Sequence, residues 1–310
     1  MLHQSTRLAR MSVVICMDSL ERGEQMTPEE EEAIRREFEA SRKKAHAHTN
    51  QGGGIPQFET NMYSNIKHVL GVVSGKGGVG KSLVTGILAI ELARTGHKVA
   101  ILDGDITGPS IPKMFGLSDV RAKGYNDLII PAESAGGIKM MSTNLVLENE
   151  TDPVVWRGPV LGNALQQFYE QTMWGDIDYL LVDMPPGTGD VALTVFQSLP
   201  IKGVLIVSTP QDLVQMVVGK AVNMAAMMDI PVVGLVENMA YFKCPNCGER
   251  HYIFGPSRAG ETCLLYGIDM LGQLPIDPKI AEACDRGVLE QALPEGLLPD
   301  AVAIIEEYDK

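Results

Sequence analysis

The 310-residue sequence has no stretch near the roughly 18 consecutive apolar residues that a membrane span needs. The run Ser12–Cys16 is too short for a secretory core and has no small-residue cleavage site after it. Positive charge is scarce: 26 Lys+Arg stand against 39 Asp+Glu, for a formal net charge of −13. A chain this acidic lacks the basic footprint of a general nucleic-acid or anionic-membrane binder. Cysteine is sparse too, with five residues, an odd count, and only one close pair. That pattern points to a reducing compartment, the cytoplasm, and to cysteines that are buried or ligating rather than bridged. The sequence does not lack core material, being 45% hydrophobic with 32 Gly and 16 Met, which is the profile of a globular chain.

Residues 1–60 differ in texture from the rest. Thr27, Pro28 and Glu30 form a helix-start signature, and Glu29–Glu32 followed by Arg42–Lys44 suits the helix dipole, so a helix is expected over 28–45. Only Ile34 and Phe38 give it an apolar seam, and Gln51–Pro56 reads as a Gly-rich linker. Met11 is an alternative start, since the first ten residues show no pattern. Length alone suggests two domains. The motifs described below run from Gly75 to Asp277, however, so the expectation is a surface arm (1–60) and one continuous unit (61–310).

In that unit, short β-branched runs recur at 68–74, 98–103, 138–142, 179–183, 204–209, 232–237 and 270–274. Several are apolar throughout, as strands buried on both faces must be. Helical stretches at Lys81–Arg94, closed by Gly96, and Asp212–Met228 lie between them. The fold class is therefore α/β, a mostly parallel twisted sheet with helices on both faces. Met224, Met227 and Met228 share helical spacing and are expected to fill core. Cys263 and Cys284 are read as buried helix residues, and Cys16 has no partner spacing.

The strongest motif is Gly75-Lys76-Gly77-Gly78-Val79-Gly80-Lys81-Ser82, between a strand and a helix. It fits G-x4-G-K-[ST] in the context that gives the pattern meaning. The glycines let successive N–H groups converge on an anion, Lys81 neutralises the β/γ-phosphates, and the Ser82 hydroxyl suits Mg²⁺. Asp103 and Asp105 follow a second strand, and Asp183 ends a third, where a parallel sheet places its ligand crevice. Asp103 and Asp105 suit organisation of Mg²⁺ or positioning of the attacking water, in either order. Asp183 suits a water-mediated Mg²⁺ contact, and Gly187 a backbone N–H near the γ-phosphate. The chemistry expected is ATP hydrolysis without a covalent intermediate.

Cys244-Pro-Asn-Cys247-Gly248 is a C-x2-C turn in a loop expected over about 240–252, and His251 is a possible third ligand. A redox dithiol would open a helix, which this pair does not. If a second subunit adds the same pair, four thiolates suit [4Fe–4S] or Zn²⁺ equally well.

These segments, with Trp156–Pro159, Thr209–Gln211, Glu237–Met239 and Pro275–Pro278, resemble the Mrp (ApbC-like) family of P-loop ATPases, relatives of the nitrogenase iron protein and of MinD/ParA, over about 62–290. The loop resembles the deviant Walker A form, which implies that Lys76 reaches a partner's nucleotide in a homodimer. The resemblance further implies that Asn238 reads adenine and that Pro275 and Asp277 line the base pocket. It also implies that Cys244 and Cys247 bind a cluster bridging two subunits, passed from a donor to apo-proteins. Leu83 departs from the family's usual Thr, which removes a hydroxyl contact to the α-phosphate and leaves the backbone N–H. The arm has neither a four-cysteine cluster site nor the apolar content of a small extra domain, so no second cluster is expected. The competing reading is a ParA/MinD-like positioning ATPase with a structural zinc knuckle. Its membrane form would need a basic amphipathic anchor, whereas Leu298–Lys310 is acidic.

Overall fold

The computed structural model describes residues 58–308 apart from 107, 126, 148–157, 188–189 and 212–213. The expected arm helix, the linker, Cys16, Trp156 and Arg157 lie outside the described residues. The strands are β1 (Ser64–Val73), β2 (Val99–Asp103), β3 (Lys123–Tyr125), β4 (Leu128–Ile130), β5 (Ala132–Glu133), β6 (Lys139–Met141), β7 (Gly175–Asp183), β8 (Gly203–Ser208), β9 (Val232–Lys243), β10 (Arg250–His251) and β11 (Met270–Ile276). The helices are α1 (Lys81–Arg94), α2 (Ile111–Met114), α3 (Gly158–Gln171), α4 (Asp190–Ser198), α5 (Val214–Met227), α6 (Ala259–Tyr266), α7 (Pro278–Asp285), α8 (Leu289–Ala292) and α9 (Pro299–Tyr308).

Nine strands form one sheet in the order β10-β9-β8-β1-β7-β2-β6-β5, with β11 on the other side of β9. All pairings in it are parallel except β5 with β6 and β10 with β9. Alternation along β1 shows why the central strands are apolar throughout. Leu70 and Val72 enter a core with α1 and α9, while Val69 and Val73 enter a second core with α3, α4 and α5. A polar residue on either face would lose its water without gaining a partner.

Three expectations change. β9 does not end at Glu237 but runs on to Lys243, because Tyr241 and Phe242 pair with Pro275 and Ile276 of β11. The polar pair Glu237–Asn238 interrupts the apolar run, which hides the extension from a pattern reading. The expected loop over 240–252 is accordingly a hairpin, with His251 opposite Phe242 and Arg250 opposite Lys243. Lastly, Met227 is 60% exposed at the end of α5, whereas Met224 is buried and Met228 packs against the core. Cys263 is buried as expected, and Cys284 is half-buried against the core.

Candidate functional site

Adjacent register places the polar strand ends side by side: Asp103 is opposite Asp183, and Val72 of β1 lies on Asp183's other flank. β1 leads into the glycine loop, and α1 starts from Gly80, whose φ of +81° is a left-handed conformation that favours glycine. A Cβ at Gly75 would lie 2.3 Å from Val217 Cγ1, so only glycine lets the loop pack this closely on α5.

Asp183 is fully buried and is the hub of the site. Its Oδ1 accepts from Lys81 Nζ at 2.6 Å and Thr85 Oγ1 at 3.0 Å, and its Oδ2 accepts from Ser82 Oγ at 2.6 Å. Thr85, also fully buried, was not a candidate from sequence; its signal is its position one turn after Lys81 on the same helix face. The side chains expected to meet phosphate and Mg²⁺ are thus held by one carboxylate. They fit the group they would hold: a cation and a hydroxyl aimed at a carboxylate can re-aim at a phosphate and its metal ion without crossing an apolar barrier. The loop walls fit too, since a Cβ at Gly78 would meet nothing within 4 Å. Leu83 packs against the core and takes no polar role.

Asp103 is 1% exposed and accepts from Ser142 Oγ (3.1 Å) and from the backbone N–H of Asp105 (3.2 Å). Burial first, then the neighbouring Asp183 carboxylate, push its pKa up to about 7. Its contacts tie β2 to the end of β6, whereas Asp105 is half-exposed at the rim. Gly104, between them, donates its N–H to the Asp183 carbonyl at 2.8 Å, and a Cβ there would lie 2.8 Å from that oxygen. Gly104→Ala is therefore expected to force β2 and β7 apart, costing roughly 1–3 kcal/mol, as overpacking does. A thermal melt checks this; an unchanged midpoint would mean the strand ends yield freely.

Three candidates have bonding partners within the chain itself. The Gly187 N–H is committed to the Ser74 carbonyl at 3.1 Å and does not point into the crevice in this conformation. Lys76 Nζ bonds Gln211 Oε1 of its own chain. Asn238 is buried and donates from Nδ2 to the Val79 carbonyl at 2.9 Å, bracing the loop from behind. Pro275 pairs with Tyr241, and Asp277 caps α7 by accepting from the Lys279 N–H at 2.9 Å. Both line a cavity of about 460 Å³ whose wall also includes Cys244, Tyr241 and Phe242.

Cys244 and Cys247 sit in the turn between β9 and β10, closed by Gly248 N–H to Cys244 O and Cys244 N–H to Glu249 O, both 2.9 Å. The backbone N–H groups of Cys247 and Asn246, then the Cys247 thiol, lower the Cys244 pKa. His251 is exposed on β10, and among the described residues no three His, Cys, Asp or Glu side chains gather into a metal site. Burial pushes Cys263 up to about 11 and raises Cys284. Iodoacetamide at pH 7.5 should thus label the turn pair at least about ten-fold faster than these two, since the thiolate is the nucleophile. Peptide mass spectrometry of quenched samples reads the rates; equal rates would contradict the placement.

A glycine nest at a helix start, a buried Lys–Asp–Ser constellation and a parallel sheet define a P-loop NTPase. Comparison agrees: the family described as ParA, NUBPL iron-transfer P-loop NTPase, matches residues 65–302. The chain belongs to that family. It is 46% identical over 269 residues to the iron-sulfur cluster carrier protein of Clostridium perfringens, covering 84% of this chain and 94% of the relative. It is 43% identical over 249 residues to the iron-sulfur cluster transfer protein NUBPL of Dictyostelium discoideum, covering 80% of this chain and 76% of the relative. Among solved structures, a nucleotide-binding protein from Archaeoglobus fulgidus in complex with ADP matches with a TM-score of 0.68 and 43% identity, over 74% of this chain and 90% of that one. MinD of Aquifex aeolicus matches with a TM-score of 0.55 at 19% identity, over 77% of this chain and 97% of that one, which speaks for the fold alone.

Proposed function

We propose that the chain is an ATP-hydrolysing carrier that holds a [4Fe–4S] cluster between two copies of itself and passes it from a donor to apo-proteins in the cytoplasm. The observation that carries this is the thiol pair: Cys247 is exposed, Cys244 has a lowered pKa, and no third ligand stands beside them among the described residues. Two thiolates leave a cluster half-ligated, and a second copy supplies the same two. Membership in an iron-transfer family and relatives named as cluster carriers support the cargo. The acidic balance argues against DNA or anionic lipid as the partner.

The buried Lys81–Asp183–Ser82 constellation supports the following reading of the nucleotide end. The N–H groups of 75–82 and the α1 N-terminus receive the phosphates. Lys81 exchanges its bond to Asp183 for the β/γ-phosphates, and Ser82 and Asp183 are the residues that would hold Mg²⁺, the latter through water. When bound, that ion neutralises charge on the transferring phosphoryl group. Asp105, at the rim, positions the attacking water, while Asp103 is spent on β6. Lys76 would leave Gln211 to reach the nucleotide of the second copy.

A transfer assay tests the carrier role. Chain reconstituted anaerobically with iron and sulfide is mixed with an inactive apo-enzyme that needs a [4Fe–4S] cluster, with a chelator present to trap free iron. Activity should return in proportion to the cluster supplied. Recovery only without the chelator would contradict direct carriage.

A further inference from the structure

One strand serves both ends of the molecule. β9 passes behind the glycine loop at Asn238, and its next residue after Lys243 is Cys244. The Asn238 amide is 2% exposed, gives Nδ2–H to Val79 O at 2.9 Å, and accepts the Met239 N–H on Oδ1 at 2.9 Å. A Cβ on Gly80 would sit 2.2 Å from Nδ2, so loop and amide are in direct contact. At this point the strand is not a plain ladder. Met239 has φ +57°, and the register with β11 shifts between Gln273, opposite Glu237, and Pro275, opposite Tyr241. On one side of the kink, Gln273 Nε2 donates to Glu237 Oε2 at 2.7 Å; on the other, Phe242 pairs with both Ile276 and His251. The segment is thus anchored before and after a strained step, and the step itself is fastened to the phosphate loop. A non-glycine residue at positive φ persists only where its surroundings hold it.

We propose that Asn238 is a positioning residue that transmits nucleotide occupancy of the glycine loop to the thiol pair, through its bond to the Val79 carbonyl and the kink at Met239. The loop can gather its N–H groups around phosphate only by turning peptide carbonyls outward, and the Val79 carbonyl is one that is turned to β9. A loop that reshapes around phosphate moves this acceptor, and an amide only 2% exposed must follow to stay paired. The strand then carries the shift into the turn that begins at Cys244. This rests on the reading of the loop as a nucleotide site and the turn as the cargo site.

The test is alkylation of Cys244 and Cys247 in the cargo-free chain, with no nucleotide, with MgADP and with a non-hydrolysable MgATP analogue. Each is added at saturation judged from the affinity of the variant in use. Nucleotide should change the wild-type labelling rate at least about five-fold, the scale of ordinary coupling between sites. Asn238→Asp keeps the acceptor for Met239 but replaces the donor facing Val79, and its rate ratio should fall to near one. The unchanged ratio in that variant would overturn the proposal, because a merely structural amide would alter stability and not the ratio. If the variant does not fold, hydrogen exchange on the wild type decides: peptides over 238–248 should change protection on nucleotide binding, and unchanged exchange would overturn the proposal. A wild type that binds nucleotide with no change in labelling overturns this inference alone. One that binds no nucleotide overturns the phosphate-site reading as well.

Discussion

Lys81→Ala is expected to lower ATP turnover by at least about 100-fold, the scale of losing one preorganised charge-stabilising group. It should also destabilise the fold, because Lys81 and Asp183 form a pair that is 6% and 0% exposed. Removing one partner leaves a buried carboxylate with only the Ser82 and Thr85 hydroxyls. Breaking such a pair costs roughly 3–5 kcal/mol, or about 10 °C in melting temperature for a domain of this size. The two effects separate in the double variant Lys81→Ala with Asp183→Asn. Without the uncompensated charge, most of the stability should return, while turnover stays lost. Phosphate release and a thermal melt on the three proteins measure this. Turnover retained in Lys81→Ala would mean that hydrolysis occurs elsewhere.

Cys244→Ala has the second large effect, at the other end of the molecule. In a shared site each substitution acts twice, leaving two thiolates where four are needed, so cluster content after reconstitution should fall to background. Stability should hold within about 0.5 kcal/mol, as for other changes in an exposed turn. ATP turnover should not be abolished, since Lys81, Ser82 and Asp183 keep their bonds to one another. Iron and acid-labile sulfide analysis beside phosphate release checks both statements. A variant that keeps its cluster would mean that the turn pair does not hold it.

What could be read from sequence was chemistry carried by consecutive residues. The glycine loop and the C-x2-C turn are local, and α1 spans Lys81–Arg94 as expected because loop and Gly96 bracket it. The buried strands were legible because burial on both faces leaves no polar position. What escaped depends on where separate segments meet. Thr85 looks like any helix threonine until Asp183 is placed beside it, and Gly104 looks like turn punctuation until the Asp183 carbonyl closes on it. The resemblance gives Asn238 to the base, and only the fold brings its amide to the Val79 carbonyl as well. The extension of β9 was hidden by the polar residues that give the strand its contact with the loop.

A cluster shared between two copies of the chain fixes a stoichiometry that can be measured. The most direct measurement is iron, sulfide and zinc content together with molar mass on one anaerobically reconstituted sample. One [4Fe–4S] cluster per two chains is expected, in a species of twice the 33.6 kDa chain mass, with visible absorption that depends on added sulfide. Zinc in place of iron with no sulfide-dependent chromophore, or a cluster on a single chain, would contradict it.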